Sequence, residues 1–297
     1  MTILAIDFGG TQVKSALVSE QFAIEKSLPT QSSPQTLEQA IDVIDQIVTS
    51  VEVDLSGIAI SVPGTVDTNE GVIYHGGLLR FFHGFRIKEV LEAKYHLPVM
   101  ALNDGKAAAL AELATGHLQG VTNGAALVLG SGLGGGFIIN GKLFQGSHFQ
   151  AGELTFLLPV QMEKVDPLLM RGMTLSAVGL ITKVNEVLGN SDLKDGLAAF
   201  EAINARDETV YSLFESYCRS LAITILNLQT ILDVETFVIG GGISAQPILI
   251  EEVNRQFDKV HHEIDFIGKI IKRPKIVACH HHNGANIIGA AYFLKQK

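Results

Sequence analysis

The chain has 297 residues, of which 47% are hydrophobic and 18% charged, and its formal net charge is −9. This length accommodates two globular domains of ordinary size. The acidic balance, with no basic cluster, argues against nucleic acid or an anionic membrane surface as a partner. The N-terminal residues lack the pattern of a secretion signal, and no apolar run reaches the ~18–20 residues of a membrane helix. The cysteines, Cys218 and Cys279, form no CxxC motif, which predicts reduced thiols in a cytoplasmic protein.

Apolar periodicity predicts alternating strands and helices in both halves of the chain. In the first half, the predicted strands are 3–8, 13–18, 57–62 and 99–102, and the predicted helices are 35–50, 86–94 and 105–115. In the second half, the predicted strands are 125–129, 137–140, 236–239 and 275–278, and the predicted helices are 174–188, 207–232, 247–259 and 284–295. The repetition indicates an α/β fold with two similar halves, joined by the polar, glycine-flanked stretch 116–124.

Three glycine clusters each follow a predicted buried strand. They are Asp7-Phe8-Gly9-Gly10-Thr11, the run from Gly130 to Gly136, and Gly240-Gly241-Gly242. Glycine permits positive φ and lets backbone N–H groups approach an anion closely. The first two loops, facing each other, would hold a polyphosphate between two domains, and the third would form a floor under a nucleoside. A plain hairpin turn explains any one loop, but three in this order favour nucleotide binding.

Two common nucleotide-binding patterns are excluded. No G-x-x-x-x-G-K-[ST] motif is present, and the run Gly134 to Gly136 opens onto the strand-like Phe137-Ile138-Ile139, where the dinucleotide fingerprint requires a helix. The loops therefore belong to a different class of phosphate-binding fold.

The motifs of the whole chain resemble the ROK family of sugar kinases, which belongs to the actin/hexokinase superfold. DFGGT (7–11) and LGSGLGGG (129–136) resemble its two phosphate loops, with Ser131 where threonine is usual. LNDGKAAALAE (102–112) resembles the segment with the catalytic aspartate, and AGE (151–153) resembles the start of the sugar-binding signature. Two further matches are SVPGTVD (61–67), on the sugar side, and IGGGIS (239–244), at the adenosine-binding turn.

The departures from the family pattern concern the sugar and zinc sites. The signature usually continues as Glu-x-Gly-His, whose histidine touches sugar and zinc, but here it reads Glu153-Leu154-Thr155-Phe156. Residues 157–175 contain no cysteine or histidine, so we expect no structural zinc. The acidic sugar ligand that usually follows has no clear counterpart in 172–175, and the usual Asn-Leu contact is replaced by Gly76-Gly77-Leu78.

These departures resemble the zinc-free β-glucoside kinases, which also carry a Gly-Gly pair followed by Arg-Phe. Removing an asparagine, a histidine and an acidic residue opens the sugar pocket. The aromatic pair Phe81-Phe82 suits stacking on a second sugar ring, so we expect the distal ring of a β-linked disaccharide to pack there. His83 is a weaker candidate for a substrate contact.

The resemblance implies a role for each matched residue. Asp104 is the expected general base, which takes the proton of a sugar hydroxyl as that oxygen attacks the γ-phosphorus of ATP; the alternative is that it only caps the helix. Asp7 is expected to orient Mg²⁺ through water; the alternative is a turn aspartate. The expected substrate-binding residues are Gly64, Gly77, Asn103, Asp104 and Glu153. The expected nucleotide-binding residues are Asp7, Gly9, Gly10, Thr11, Lys14, Ser131, Gly132, Gly134, Gly240, Gly241 and Gly242.

The resemblance also implies an architecture: a two-domain actin-like ATPase with ribonuclease H-like halves and an interdomain active-site cleft. The expected domains are a small N-terminal one of residues 1–116 plus 286–297 and a large C-terminal one of residues 117–285, in a homodimer. His280-His281-His282 is not expected to bind metal, because neighbouring side chains of a strand point to opposite faces.

The expected activity is ATP- and Mg²⁺-dependent phosphorylation of the 6-hydroxyl of a hexose unit, with β-glucosides such as cellobiose as the leading substrates. The alternatives within the family are N-acetylmannosamine, glucose and fructose. A sugar-responsive transcriptional regulator is disfavoured, because the first phosphate loop begins at residue 7 and leaves no room for a helix-turn-helix. A non-catalytic sugar-binding protein is disfavoured by the intact Asp104 and phosphate loops.

Overall fold

A computed structural model of the chain describes residues 2–158, 164–263 and 265–296. The elements up to residue 115 are β1 Thr2–Phe8, β2 Gln12–Val18, β3 Ile24–Ser27, β4 Gln31–Ser32, α1 Leu37–Thr49, β5 Leu55–Val62, β6 Thr65–Asp67, β7 Val72–Tyr74, β8 Phe85–Arg86, α2 Ile87–Tyr95, β9 Val99–Asn103 and α3 Asp104–Thr115. The elements that follow are β10 Gly124–Leu129, β11 Leu133–Ile139, β12 Lys142–Phe144, α4 Arg171–Thr174, α5 Ala177–Leu188, α6 Gly196–Asn204, α7 Tyr211–Leu232, β13 Thr236–Gly240, α8 Pro247–His262, α9 Ile267–Ile270, β14 Lys275–Ala278 and α10 Ala285–Lys295.

The chain divides into two compact units. Unit 1 comprises Met1–Gly120, Gly136–Gly152 and Asn283–Lys297, and unit 2 comprises Val121–Gly135 and Glu153–His282. The domain boundaries expected from the sequence, 1–116 with 286–297 against 117–285, stay a prediction. Among the described residues, no helix has the length and apolar character needed to cross a membrane.

The main sheet of unit 1 brings two sequence motifs to one edge. Its strand order is β3-β2-β1-β5-β9, with β4 paired to β2. Strands β1 and β2 form an antiparallel hairpin, whereas β1, β5 and β9 are parallel. The register pairs Asp7 with Ser61 and Val62 with Asn103. Because parallel strands end at the same edge of a sheet, Asp7 and Asn103 lie at one carboxyl edge, where α/β proteins bind ligands.

Helices α3 and α10 pack closely in unit 1. A Cβ atom at Gly289 of α10 would lie 1.8 Å from the Ala107 carbonyl oxygen of α3, so only glycine permits this approach. Helix α3 is buried from Gly105 to Glu112. The first turn of α3 therefore sits in a fixed place at the carboxyl edge of the sheet.

The sheet of unit 2 has the same kind of edge. Its strand order is β11-β10-β13-β14, and β10, β13 and β14 are parallel. The register pairs Val128 with Gly240, so the second and third glycine clusters both follow the carboxyl edge of this sheet. Strand β11 runs from unit 2 into unit 1, where it pairs antiparallel with β12.

The alternation of strands and helices that predicted an α/β fold is confirmed. The structure also differs from the predicted elements in several places. Strand β11 begins at Leu133, inside the glycine run, and not at 137. Helix α5 begins at Ala177 because the Ser176 hydroxyl caps it, accepting the Gly179 N–H at 3.0 Å. Helix α6 and the antiparallel sheet β6-β7-β8 were not predicted.

Candidate active site

The first glycine loop, residues 7–11 in unit 1, is held in place by hydrogen bonds to Gln12 and Ser33. The Gly9 N–H donates to the Gln12 carbonyl at 2.9 Å, and the Ser33 hydroxyl donates to the Gly9 carbonyl at 2.9 Å. The N–H groups of Gly10 and Thr11 have no acceptor among the described residues. The loop thus presents two backbone donors to an incoming anion.

Glycine in this loop serves close approach and not positive φ. Neither Gly9 nor Gly10 has a positive φ, so of the two properties of glycine only the close approach of the backbone applies to these residues. A Cβ atom at Gly10 would lie 2.8 Å from Cδ1 of Leu78. The segment Gly76-Gly77-Leu78 therefore lies against the first glycine loop within unit 1.

Asp7 is a carboxylate with few compensating partners. Lys14 lies opposite it across the β1–β2 hairpin, and Asn286 of α10 donates Nδ2–H to its Oδ1 at 3.1 Å. Burial raises the pKa of Asp7, although Ser61, Asn286 and Lys14 act in the opposite direction. Such a carboxylate gains from a nearby cation. No sequence motif pointed to Asn286.

The second glycine loop, residues 130–136, is held by a threonine that the sequence did not identify. Within unit 2, Thr155 Oγ1 accepts the Leu133 N–H at 3.2 Å and donates to the Leu133 carbonyl at 3.1 Å. A Cβ atom at Gly132 would lie 2.8 Å from the same Oγ1. The glycine is needed for this contact, and no glycine of the run has a positive φ.

The same loop also presents backbone donors. The Gly130 N–H bonds to the Gly132 carbonyl at 3.0 Å, and the first residue of α5, Ala177, donates its N–H to the Gly130 carbonyl at 2.9 Å. The N–H groups of Ser131 and Gly132 have no acceptor in the part of the chain that the structure describes. Gly134 lies in β11 and is half-buried.

The third glycine turn packs against the strand that leads into the second loop. Gly241 has φ +96°, and a Cβ atom there would lie 2.0 Å from the Leu129 carbonyl oxygen. The Ser244 hydroxyl closes the turn by donating to the Gly241 carbonyl at 2.7 Å. Gly242 is exposed and Gly240 is buried. Unit 2 thus brings the second and third glycine clusters together.

Asn103 organises the edge at which Asp104 stands. Asn103 is 7% exposed, and its Oδ1 accepts the Lys106 N–H at 3.2 Å. It is therefore the N-cap of α3, and the alternative that Asp104 is the cap is wrong. Asn103 Nδ2 donates to Asp104 Oδ1 at 3.0 Å, and the Gly105 N–H donates to the same oxygen at 2.8 Å. These two donors fix the orientation of the Asp104 carboxylate.

The sugar-side glycines meet backbone to backbone. Gly64 has φ +94°, and a Cβ atom there would lie 2.8 Å from Gly76 Cα and 2.9 Å from Gly77 N. Gly77 has φ +55°. Asn103 Nδ2 also donates to the Gly64 carbonyl at 2.9 Å. Unit 1 therefore brings together Gly64, Gly77, Asn103 and Asp104, whereas Glu153, the fifth residue expected to bind substrate, belongs to unit 2. Their role in substrate binding stays a prediction.

One predicted stacking residue is not at the surface. Phe82 is 0% exposed, and its ring makes an edge-to-face contact with Phe8 at a centroid distance of 5.4 Å. The expectation that Phe82 stacks on a sugar is therefore wrong, because its aromatic face is used in the core of unit 1. Phe81 is half-buried. His83 is exposed, and its Nδ1 accepts the His75 N–H at 3.1 Å.

Two further features concern charge and metal. Lys106 is 1% exposed and donates Nζ–H to the Phe149 carbonyl at 2.6 Å, a buried cation that the sequence did not single out. Among residues 2–158, 164–263 and 265–296, no group of three or more His, Cys, Asp or Glu side chains is arranged to hold a metal ion. Part of the segment expected to lack zinc ligands, residues 159–163, lies outside the described residues.

Comparison with known proteins identifies a family. The profile of the ROK family matches residues 3–166 and 173–297. A β-glucoside kinase of Listeria innocua serovar 6a is 30% identical over 305 residues, covering 100% of this chain and 98% of that protein. An N-acetylmannosamine kinase of Shigella flexneri is 28% identical over 306 residues, covering 98% of this chain and 97% of that protein. A ROK family protein of Streptococcus pneumoniae, solved with sucrose, has a TM-score of 0.86 and 32% identity over 100% of this chain and 98% of its own.

Proposed function

The chain belongs to the ROK family and is a carbohydrate kinase, and we propose that it transfers the γ-phosphoryl group of ATP to the 6-hydroxyl of a β-glucoside such as cellobiose. The observation that carries the proposal is that unit 1 holds both an oriented Asp104 carboxylate and the first glycine loop, whose Gly10 and Thr11 N–H groups lack acceptors among the described residues. The β-glucoside kinase of Listeria innocua, which this chain matches over its whole length, supports the choice of substrate.

Asp104 acts as the general base in this proposal. Its Oδ1 accepts hydrogen bonds from Asn103 Nδ2 and the Gly105 N–H, so the carboxylate cannot rotate freely. A base held in this way takes the proton of the 6-hydroxyl as the oxygen attacks phosphorus, a contribution of about 10²–10⁴-fold. Alignment of the reactants and neutralisation of phosphate charge lower the rest of the barrier.

The glycine loops bind the phosphates. The N–H groups of Gly10 and Thr11 in unit 1, and of Ser131 and Gly132 in unit 2, are the donors to phosphate oxygens, with Lys14 adding positive charge. Such local donors are needed because the chain carries a net charge of −9 and repels polyphosphate at long range. Gly240, Gly241 and Gly242 supply the turn beneath the nucleoside.

Asp7 fits a hydrated magnesium ion. It is a half-buried carboxylate whose pKa is raised by burial, and Mg²⁺ characteristically binds one or two carboxylates while keeping several waters. When bound, the ion neutralises charge on the transferring phosphoryl group. Asn286 holds the Asp7 carboxylate in place through its hydrogen bond to Oδ1.

Phosphorylation of free N-acetylmannosamine is the second candidate, favoured by the Shigella flexneri relative. The sequence of residues 153–156 favours the β-glucoside instead. Thr155 and Phe156 occupy the positions of the family's Gly-His, and Phe156 offers no hydrogen bond to a single sugar ring. A site without such polar contacts accommodates a substituent more readily than it selects one small sugar.

A coupled ADP-release assay over a panel of sugars tests the proposal. The panel contains cellobiose, 4-nitrophenyl β-D-glucoside, glucose, fructose and N-acetylmannosamine, each with ATP and Mg²⁺. We expect kcat/KM for the two β-glucosides to equal or exceed that for glucose. If the enzyme preferred N-acetylmannosamine or fructose and rejected cellobiose, the assignment of a β-glucoside substrate would be contradicted. The assignment of kinase activity would be retained. Release of no ADP with any sugar would contradict the activity itself.

A further inference from the structure

Three consecutive residues on the sugar side of unit 1 have left-handed backbones. The φ angle is +60° at His75, +28° at Gly76 and +55° at Gly77. Glycine adopts such angles freely, but the Cβ atom of His75 makes this conformation unfavourable on its own. The surrounding structure must therefore hold His75 in this state. We call residues 75–77 the left-handed turn.

The group that holds the left-handed turn is the side chain of His83. The His75 N–H donates to His83 Nδ1 at 3.1 Å, and the two imidazole rings stack at a centroid distance of 4.8 Å. The backbone of His83 is itself fixed, because its N–H donates to the Arg80 carbonyl at 3.1 Å. The next residue, Gly84, donates its N–H to the Ile73 carbonyl at 2.8 Å. The acceptor for His75 thus has a defined place.

The direction of this hydrogen bond fixes the state of the His83 ring. A backbone N–H can only donate, so Nδ1 must carry a lone pair and the ring proton must be on Nε2. Protonation of Nδ1 would place two donors against each other and break the bond. Histidine is the side chain type that changes its charge between pH 5 and 8. The bond to His75 therefore exists only while His83 is neutral.

The surroundings of His83 contain several other titratable or charged side chains. The ring of Tyr74, in β7, has its centroid 6.3 Å from that of His83, and Arg80 begins the short 3₁₀ helix Arg80–Phe82. Arg86 lies at the other end of the β7–β8 pairing, opposite Val72. There its guanidinium is 3.8 Å from the carboxylates of Glu70 and Glu89. The ring contacts of His83 are thus with His75 and Tyr74, and the charge of Arg86 is paired with other groups.

The left-handed turn lies against the candidate site of unit 1. A Cβ atom at Gly64 would lie 2.8 Å from Gly76 Cα, and the Gly64 carbonyl accepts a hydrogen bond from Asn103 Nδ2 at 2.9 Å. Leu78, which directly follows the turn, meets Gly10 of the first glycine loop. Any change in the backbone of the turn therefore alters the surroundings of both Gly64 and the first glycine loop.

We propose that His83 is a positioning residue for the sugar substrate: its neutral ring holds the left-handed turn in the conformation that binds sugar, and its protonation releases the turn. This inference rests on the proposed function, in which Gly64 and Gly77 bind the sugar, and deepens it by making sugar affinity depend on pH. His83 acts through the turn and not on the reacting atoms. The effect therefore falls on KM for the sugar and not on kcat, because Asp104 is oriented by other hydrogen bonds.

Two substitutions separate the hydrogen bond of His83 from its ring. In His83→Asn, Oδ1 is an acceptor bonded to Cγ, as Nδ1 is in histidine, and it does not titrate. In His83→Phe, a ring remains to stack on His75, but the acceptor is lost. The matched control is His96→Asn. His96 is also an exposed histidine of unit 1, with φ +56°, but its N–H donates to the backbone carbonyl of Glu92 at 3.0 Å.

The experiment measures KM and kcat for the best sugar of the panel, and its Kd by calorimetry without ATP, between pH 5 and 8. Each variant is compared with the wild type at the same pH, so that titration of groups common to all of them cancels. We expect the wild type to lose sugar affinity roughly three- to tenfold as the pH falls, the loss of one hydrogen bond. His83→Asn should keep the high affinity at every pH, His83→Phe should have the low affinity at every pH, and His96→Asn should follow the wild type.

Several results would overturn the inference while leaving the kinase proposal intact. If His83→Asn had the same pH dependence of sugar affinity as the wild type, another group would be responsible for it. Wild-type sugar affinity in His83→Phe at pH 8 would show that the bond to His75 is not needed. A fall in kcat with an unchanged KM would exclude a role in positioning the sugar. Failure of the proposed function is a different result: the wild type would release no ADP and bind no sugar at any pH, which would contradict the function together with the inference.

Discussion

Asn103 donates one amide group to two acceptors, the Asp104 carboxylate at 3.0 Å and the Gly64 carbonyl at 2.9 Å. Its Oδ1 meanwhile caps helix α3 at the Lys106 N–H. One side chain thus joins the end of a strand, the first turn of a helix and the turn that meets Gly76-Gly77. Since both Nδ2 hydrogens have acceptors, the structure favours a positioning role for Asn103 in addition to the predicted sugar contact.

Substitution of Asn103 should separate stability from positioning. Serine caps helices well, whereas alanine does not, so Asn103→Ala should lose about 1 kcal/mol of unfolding free energy and Asn103→Ser much less. Both variants remove the donor to Asp104, so kcat should fall in both. Chemical denaturation and steady-state kinetics measure the two effects. An Asn103→Ser enzyme with the wild-type kcat would show that Asp104 needs no help from this amide.

Phe82→Ala should act on folding and not on substrate choice. The ring is completely buried and packs against Phe8, so its removal leaves a cavity that costs about 3–5 kcal/mol. Phe266→Ala, at an exposed position, should change the unfolding free energy by less than about 0.5 kcal/mol. Urea unfolding followed by circular dichroism distinguishes them, and a Phe82→Ala protein of wild-type stability would contradict the packing described.

Asp7→Asn should stabilise the protein at neutral pH while removing activity. Burial raises the pKa of Asp7 above its ordinary value of 3.8, so the folded state favours the protonated form. The resulting stability is present below the unfolded pKa and is lost as pH rises through the folded pKa. An asparagine at position 7 does not ionise, so the variant does not lose this stability as the pH rises. The Tm of Asp7→Asn should therefore exceed that of the wild type at pH 7.

The advantage of Asp7→Asn should shrink as the pH is lowered towards 4, where the wild-type carboxyl is increasingly protonated. Asp54→Asn, at an exposed position, serves as the control for loss of one negative charge. Thermal unfolding across pH 4–8 measures the difference. A lower Tm for Asp7→Asn at pH 7 would mean that the ionised carboxylate is stabilising in the folded protein.

Thr155→Val should weaken ATP binding more than sugar binding. The change preserves shape but leaves the Leu133 N–H and carbonyl without the Oγ1 partner, which frees the second glycine loop to move. Loss of hydrogen bonds worth ~0.5–1.5 kcal/mol corresponds to a rise in KM for ATP of roughly 3–10-fold. Thr155→Ser keeps the hydroxyl and should restore the wild-type KM. Equal KM values for ATP in the valine and serine variants would exclude this role.

The secondary structure was largely predictable because its signals are local. Apolar periodicity located β1, β5, α7 and α10 to within a few residues, since burial of one face requires that spacing. Helix α7 begins at Tyr211 and not at the predicted residue 207. The N–H and the hydroxyl of Thr209 donate to the Asp207 carboxylate at 2.9 and 2.6 Å, which forms a turn before the helix. Helix α6, with only three buried residues, carries too weak a pattern to be recognised.

The site was only partly predictable because several of its partners are distant in sequence. The glycine loops and Asp104 stand out as continuous motifs beside strands. Thr155 lies 22 residues from Leu133, Phe149 lies 43 from Lys106, and Asn286 lies 279 from Asp7. Such pairs arise only from the folded chain, and a single threonine or asparagine has many other uses. The same reason explains Phe82, whose burial against Phe8 no local pattern indicates.

The most direct test of the central claim is the turnover of Asp104→Asn with ATP, Mg²⁺ and the best sugar of the panel. The amide is nearly isosteric with the carboxylate but cannot accept the proton of the hydroxyl, so kcat should fall by about 10²–10⁴-fold. Calorimetry should show ATP and sugar binding within about tenfold of the wild type, since the fold and the loops are unchanged. An Asp104→Asn enzyme that keeps more than a few per cent (roughly a thirtieth) of the wild-type kcat would contradict the assignment of Asp104 as the base.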